Sequence, residues 1–306
     1  MTDPAACVTR SGRPAALWWH RVRGDRSSFT RAAGRRSSEV VGGVIEKSRA
    51  VDAPLSGRQG CATTTERGVL GRSGWAGSQR YGGAVWSGDT QSTWEDFNQQ
   101  FRAGLNMVMT GIPYWTTDIG GFGGGHTQSA DFRELIVRWF QWGAFCPLFR
   151  LHGARTGPTW PPGDASVCGQ AASNEVWMFG NESEAAIVRV MRMREQMRPY
   201  VMEQYQAAAE YGTPIMRPLF FDFYNDTASQ TVDDQQMFGP DYLVAPVLQK
   251  GVSSRSVYLP PLPHGTVWRN VFTGIETDTS AGGKHITEAT PLDTFPLYER
   301  VESQSI

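Results

Sequence analysis

The chain has 306 residues, 40% of them hydrophobic, and a formal net charge of −1, which is enough for one large or two medium domains with a sizeable core. A balance this close to zero gives no reason to expect nucleic acid or a membrane surface as a partner, and no apolar run of about 18 residues or more reads as a transmembrane helix. The neutrality hides a split: residues 1–67 hold 12 Lys and Arg against 6 Asp and Glu, whereas residues 68–306 hold 17 against 24, an asymmetry that marks a tail or a segment foreign to the rest.

Taken in order, residues 1–67 are rich in Arg, Ser, Gly and Ala and show no sustained helical or strand period. SSEVVGGVIE (37–46) is the one strand-like piece, and its glycines weaken it. The arginines are scattered without a stripe or a recognisable module, so a nucleic-acid-binding arm is not expected. The segment is expected to be a disordered basic leader that does not match the remainder of the chain. Its start also lacks the basic-then-apolar pattern of a secretory signal.

From Gly68 the texture changes: seven of the 11 tryptophans fall between Trp75 and Trp160, which places a packed core here. RSGWAGSQRYGGAVWSGD (72–89) crosses a Gly/Ser-rich bend and runs Ala84-Val85-Trp86 into Ser87-Gly88-Asp89, the pattern of a buried strand delivering a carboxylate to its C-terminal end. Ser92-x-x-Glu95 predicts a capped helix with Trp94, Phe97, Phe101, Leu105 and Val108 at helical spacing. MVMTGIPYW (107–115) reads as the next buried strand, ending at Thr116-Thr117-Asp118 and followed by a loop with five glycines between 120 and 125. Asp131-x-x-Glu134 predicts a second helix with Phe132, Leu135, Ile136 and Trp139 on one face, and CPLFRLH a third strand ending at Arg150 and His152. Strand–helix–strand alternation with polar residues at the strand ends predicts parallel β/α architecture.

A Pro/Gly-rich loop (153–169) leads to a helical region over 175–211. Ile187, Val190, Met191 and Met197 form one stripe there, Val201, Tyr205 and Ala208 another, and Pro199 should break the run between them. Gly212-Thr213-Pro214 ends that region and IMRPLFFDFY reads as a strand. After Asp234, YLVAPVL, SVYLP, TVWRNVF and DTFPLYE alternate with turns. The expected organisation is therefore a leader (1–67), the C-terminal strands and helices of an incomplete (β/α)8 TIM-type barrel (68–236), and a small all-β sandwich (237–306).

The four cysteines show no CxxC or Cys/His ligand spacing, so no metal site and no cofactor is expected. Cys146 and Cys168 could pair in an oxidising compartment or remain thiols. Asn181-Glu182-Ser183 and Asn225-Asp226-Thr227 are formal glycosylation sequons that matter only in a secreted protein.

Two strand-end carboxylates, an Arg, a His and several aromatic rings suit a carbohydrate. Sugar C–H faces stack on rings, hydroxyls bind Asp, Arg and His, and glycoside cleavage needs a carboxyl group to protonate the departing oxygen.

Residues 68–300 resemble the C-terminal part of a glycoside hydrolase family 31 enzyme, the family of α-glucosidases and α-xylosidases. RSGWAGSQRYGGAVWSGD resembles its acid/base motif, PYWTTDIGGF the next sugar-binding strand end, and PLFRLHG the Arg-His motif after that. EVWMFG, RPYVMEQY, GTPIMRPLFFDF and MFGPDYLVAPVL resemble further landmarks in the same order. The Gly-Trp-Ala-Gly-Ser-Gln-Arg-Tyr form, with Trp-Thr-Thr-Asp-Ile-Gly-Gly, is most similar to the α-xylosidase branch acting on xyloglucan fragments. The resemblance implies that Asp89 is the general acid/base and that an oligosaccharide is the partner. Asp118 and His152 would bind hydroxyls of the sugar whose bond is cut, Arg72 and Arg150 would orient carboxylates or hydroxyls, and Trp86 and Trp115 would wall the pocket. His126, in the glycine-rich loop, has no role under the resemblance.

A retaining glycosidase uses two carboxylates, and the resemblance places the nucleophilic aspartate upstream of the acid/base in a Trp-x-Asp strand end. No Trp-x-Asp precedes Asp89; Trp94-Glu95-Asp96 fits the letters but lies downstream, at the start of a predicted helix. The expectation is a truncated enzyme fused to an unrelated, mistranslated or mis-spliced leader and inactive alone. The other expectation is a non-catalytic remnant that binds carbohydrate or a protein partner.

Overall fold

A computed structural model of the chain describes residues 69–158 and 172–303. The strand-like piece at 37–46 and Cys168 lie outside them. Cys146 is a buried free thiol whose pKa burial pushes far up.

The first layer is a three-stranded parallel sheet in sequence order: β1 (Val69–Gly71), β2 (Gly83–Trp86) and β3 (Trp115–Thr116). Val85 pairs with Trp115 and Leu70 with Ala84, and a parallel bridge from Ile119 to Leu151 continues the arc by one more segment. Parallel neighbours need long crossovers. Helix α1 (Trp94–Met109) supplies the one between β2 and β3, and α2 (Ala130–Gly143) the one between β3 and Leu151. This is the expected incomplete β/α barrel.

Local details depart from the sequence reading. The cap of α1 is Thr93, whose hydroxyl accepts from the Asp96 amide at 3.1 Å, one residue later than the predicted Ser92/Glu95 box. Helix α1 also takes in Met107–Met109, where the sequence predicts the opening of a strand; Met-Val-Met suits either period, and the strand shrinks to Trp115–Thr116. Helix α2 starts at Ala130 behind Ser129, with no side-chain cap, and Asp131 instead pairs with Lys250 at 2.7 Å. It is buried continuously from Leu135 to Gly143, because both of its faces are covered. The predicted strand CPLFRLH is reduced to the single bridge at Leu151.

Over 175–211 a 3₁₀ turn (Val176–Phe179) precedes α3 (Asn181–Gln196) and α4 (Arg198–Tyr211). The break falls at Met197, with Pro199 in the first turn of α4, where its missing N–H costs nothing. Gly212 closes α4 in the left-handed conformation, φ 73°.

The second layer is antiparallel. β4 (Met216–Arg217), β5 (Gln236–Phe238), β6 (Tyr242–Val244), β8 (Thr266–Asn270), β9 (Glu276–Thr277) and β11 (Leu297–Glu302) form one sheet in the order β4-β5-β6-β11-β8-β9. β7 (Ser254–Leu259) and β10 (Lys284–Ala289) pair separately, and Val257 and Leu259 pack with Leu243, Trp268 and Tyr298 of the larger sheet to fill a sandwich core. IMRPLFFDFY is not one strand. Only Met216–Arg217 pairs, Pro218 cannot donate to a ladder, and Leu219–Asp222 turns into the short helix α5, closed by a two-bond contact from Arg217 to Asp222 at 2.7 and 2.8 Å.

The layers share an apolar core. Phe145, Val190 and Val201 from the helical side pack with Phe238, Val244, Phe295 and Leu297 of the sandwich. Buried polar bonds cross the same seam: Trp142 Nε1 donates to Gln236 at 2.9 Å, and Gln236 to the Phe145 carbonyl at 2.8 Å.

Candidate active site

In a parallel sheet all C-terminal strand ends open on one edge, and in barrels that edge carries the chemistry. Here Arg72 follows β1, Asp89 follows β2, Asp118 follows β3, and Arg150 and His152 flank the bridging Leu151. Backbone bonds tie the tips together. Ser87 N–H donates to the Thr116 carbonyl at 3.1 Å, Ile119 N–H to the Arg150 carbonyl at 3.3 Å, and Thr116 Oγ1 to the Leu148 carbonyl at 2.7 Å.

Asp118 is the deepest group, at 0% exposure. One carboxylate oxygen accepts from Arg150, while Oδ2 is buried with no partner among the described residues. Burial raises its pKa, and the opposing charges of Arg150 and His152 only partly offset that. An acceptor without a donor is costly to leave in place, and none of the described residues supplies one to this oxygen. His152 stacks at a tilt on Phe122 with ring centroids 5.5 Å apart. Burial pulls its pKa below the ordinary imidazole value, so it is neutral at pH 7.

Asp89 lies higher. It is joined to Arg72, and the two side chains are 38% and 56% exposed. Trp86 lies between the two ion pairs, with the Arg72 guanidinium 5.8 Å and the Arg150 guanidinium 6.0 Å from its ring centroid. Its ring is therefore held by cations and walls the tip region. Trp115 is placed differently. It is 1% exposed, packed against α1 and 5.9 Å from the Trp142 ring, so it belongs to the core and faces no open surface. His126 accepts from the Gln128 amide at 3.1 Å, in the loop that bridges to Thr156.

Arg155 carries no mark in the sequence. Its guanidinium is fully buried and hydrogen-bonded to carbonyls of both the Asp118 and the His152 tips. A lone Arg beyond a His-Gly pair carries no periodic signal, and carbonyl partners leave none either.

Among the described residues no cluster of His, Cys, Asp or Glu could hold a metal ion, and no helix is long and apolar enough to cross a membrane.

The strand ends of this partial β/α barrel bring two carboxylates, two guanidinium groups, an imidazole and a tryptophan ring to one edge. The chain belongs to glycoside hydrolase family 31: the family's TIM-barrel domain matches residues 41–204 and its C-terminal domain residues 212–303. The barrel match thus begins inside the 1–67 segment that composition sets apart. An α-xylosidase of Saccharolobus solfataricus is 37% identical over 232 residues, covering 76% of this chain and 29% of that protein. Alpha-glucosidase 2 of Bacillus thermoamyloliquefaciens is 32% identical over 230 residues, covering 75% and 26%. Among solved structures, a GH31 α-xylosidase from a soil metagenome, complexed with xylose, superposes with a TM-score of 0.70 at 44% identity, covering 79% of this chain and 36% of that one. The chain spans about a third or less of the length of these relatives.

Proposed function

We propose that this chain carries the acid/base portion of a retaining α-glycosidase site that acts on terminal α-linked xylose or glucose of oligosaccharides such as xyloglucan fragments. The observation that carries it is the unfilled Oδ2 of Asp118, buried beside neutral His152 and below the accessible Asp89–Arg72 pair. In this reading Asp118 and His152 take sugar hydroxyls, while Arg150 fixes the Asp118 carboxylate and Trp86 offers an apolar wall. Arg72 holds Asp89 until substrate arrives. Asp89 protonates the glycosidic oxygen as the bond breaks, then removes a proton from the incoming water. Relatives named for α-xylosidase support xylose, and a relative named for α-glucosidase keeps glucose open.

Retention also needs a nucleophilic carboxylate. At the strand ends of the described residues the other carboxylate is Asp118, which is buried and committed to Arg150. We propose that the nucleophile is not among these residues and, because no Trp-x-Asp precedes Asp89 in the sequence, that this chain alone has little or no turnover. Assaying the purified chain on an α-xyloside and an α-glucoside tests this: turnover that Asp89→Asn abolishes would refute the missing-nucleophile part.

A second reading, carbohydrate binding without catalysis, is favoured by the same geometry, since the Asp118–Arg150–His152 set is complete without a nucleophile. Calorimetry with xylose and xyloglucan oligosaccharides decides it, because a folded chain that releases no heat of binding removes the reading.

A further inference from the structure

Arg155 takes no part in the acid/base chemistry, yet it is fully buried, at 0% exposure, directly behind the site. Its Nη1 donates to the Gly121 carbonyl at 2.8 Å and to the Ala154 carbonyl at 3.4 Å. Nη2 donates to the Ile119 carbonyl at 3.1 Å and to the His152 carbonyl at 3.4 Å. Nε donates to Asn174 Oδ1 at 2.8 Å. One planar fork thus grips the turn after Asp118 and the turn holding His152 at the same time. No carboxylate is among these partners; burial pulls the pKa down to about 9, which leaves the group charged at neutral pH.

Both turns are shaped to admit it. A Cβ at Gly120 would sit 2.9 Å from Nη2, and one at Gly153 would sit 2.8 Å from Nη1, closer than real Cβ atoms come. These glycines also adopt φ of +84° and +137°, a region side chains rarely enter. Burying a cation among carbonyls is costly unless its donors are well satisfied. Here four of the bonds go to backbone beside Asp118 and His152, while Nε is held by Asn174 and Nη1 also reaches Ser92 Oγ at 3.3 Å and the Gly124 carbonyl at 3.4 Å.

We propose that Arg155 is a positioning residue for the sugar site: its guanidinium clamps the Asp118 and His152 turns together and so sets the spacing of the two side chains. The proposal rests on the sugar-holding reading of Asp118 and His152. The clamp depends on shape rather than charge. A lysine would keep the cation beside Asp118 but could not span both turns.

The test is Arg155→Lys in the full chain, with folding checked by circular dichroism. The Gly121 amide donates to the Asp118 carbonyl at 2.9 Å and the Ala154 amide to the Phe122 carbonyl at 2.7 Å, and both report on the clamped turns by hydrogen exchange. Exchange at both is expected to speed up at least tenfold, while the Arg300 amide in the sandwich, bonded to Asp241 at 2.7 Å, stays unchanged. Xylose affinity by calorimetry is expected to fall at least tenfold. Unchanged exchange at Gly121 and Ala154, or full retention of affinity in the Lys variant, overturns the clamp. A wild-type chain that binds no xylose overturns the sugar reading instead, and the exchange result still decides whether the clamp exists. Should the Lys variant not fold, Asn174→Ala keeps the cation but removes its Nε partner and the 3.1 Å bond to the Gly153 carbonyl. There, unchanged exchange at Ala154 overturns the clamp and faster exchange supports it.

Discussion

Arg72 and Asp89, 17 residues apart, meet side chain to side chain where β1 and β2 open to solvent. With side chains 56% and 38% exposed, the pair is wet, and ion pairs of this kind contribute about 0–1 kcal/mol. Asp89→Asn is therefore expected to leave the melting midpoint within about 4 °C of wild type, while removing whatever turnover the chain shows. A much larger fall would make Asp89 part of the scaffold and not a group free to exchange Arg72 for a substrate.

Gly104 is expected to be intolerant of alanine for a packing reason. A Cβ there would lie 2.6 Å from the Trp115 ring and 3.0 Å from the end of Met216. Alanine gains about 1 kcal/mol of helix propensity on an open surface, but here it pushes a fully enclosed indole. Overpacking of this kind costs about 1–3 kcal/mol. Gly104→Ala should lower the denaturant midpoint; a rise would mean that Trp115 has room to move.

These two cases show what the sequence could and could not disclose. Asp89, Asp118, Arg150 and His152 were legible because each is a polar residue next to a short apolar run, and parallel strands bring such residues to one edge. The family resemblance makes Trp115 a pocket wall, whereas its 1% exposure, its contact with Trp142 and its closeness to Gly104 of α1 put it in the core. The extent of α1 was hidden because Met107-Val108-Met109 suits either period. The short helix α5 depends on Arg217 reaching Asp222, a side-chain contact with no periodic trace. Arg155 was invisible because its partners are carbonyls, which every residue has.

Arg138 ties the barrel portion to the sandwich. It projects from α2, is buried, and donates to the carbonyls of Thr290, Pro291 and Thr294 at 2.5, 3.0 and 3.0 Å. Burial lowers its pKa to about 10, so it remains charged at neutral pH. Arg138→Met leaves three carbonyls without their donor, each costing about 1–3 kcal/mol, so a loss of about 3 kcal/mol or more is expected. The urea midpoint should fall, and the transition should broaden as the two layers uncouple. An unchanged, single sharp transition would show that the apolar seam alone holds the layers.

His152 should make stability depend on pH in a defined direction. Burial lowers its folded-state pKa below the ordinary 6.5; Arg150 and Arg155 act the same way, while Asp118 and Asp89 oppose. Well above pH 6.5 the ring is neutral in both the folded and the unfolded chain, so it contributes no slope. As the pH falls through 6.5 the unfolded chain takes up a proton that the folded chain refuses, and stability is lost until the folded-state pKa is reached. His152→Asn removes that proton uptake from both states. Melting midpoints measured from pH 8 to pH 5 should therefore fall less steeply for the variant than for wild type, with the two curves separating only below about pH 6.5. Parallel curves across that range would mean that the imidazole accepts its proton in the folded chain as readily as in water, and that the tip around Asp118 is open to solvent.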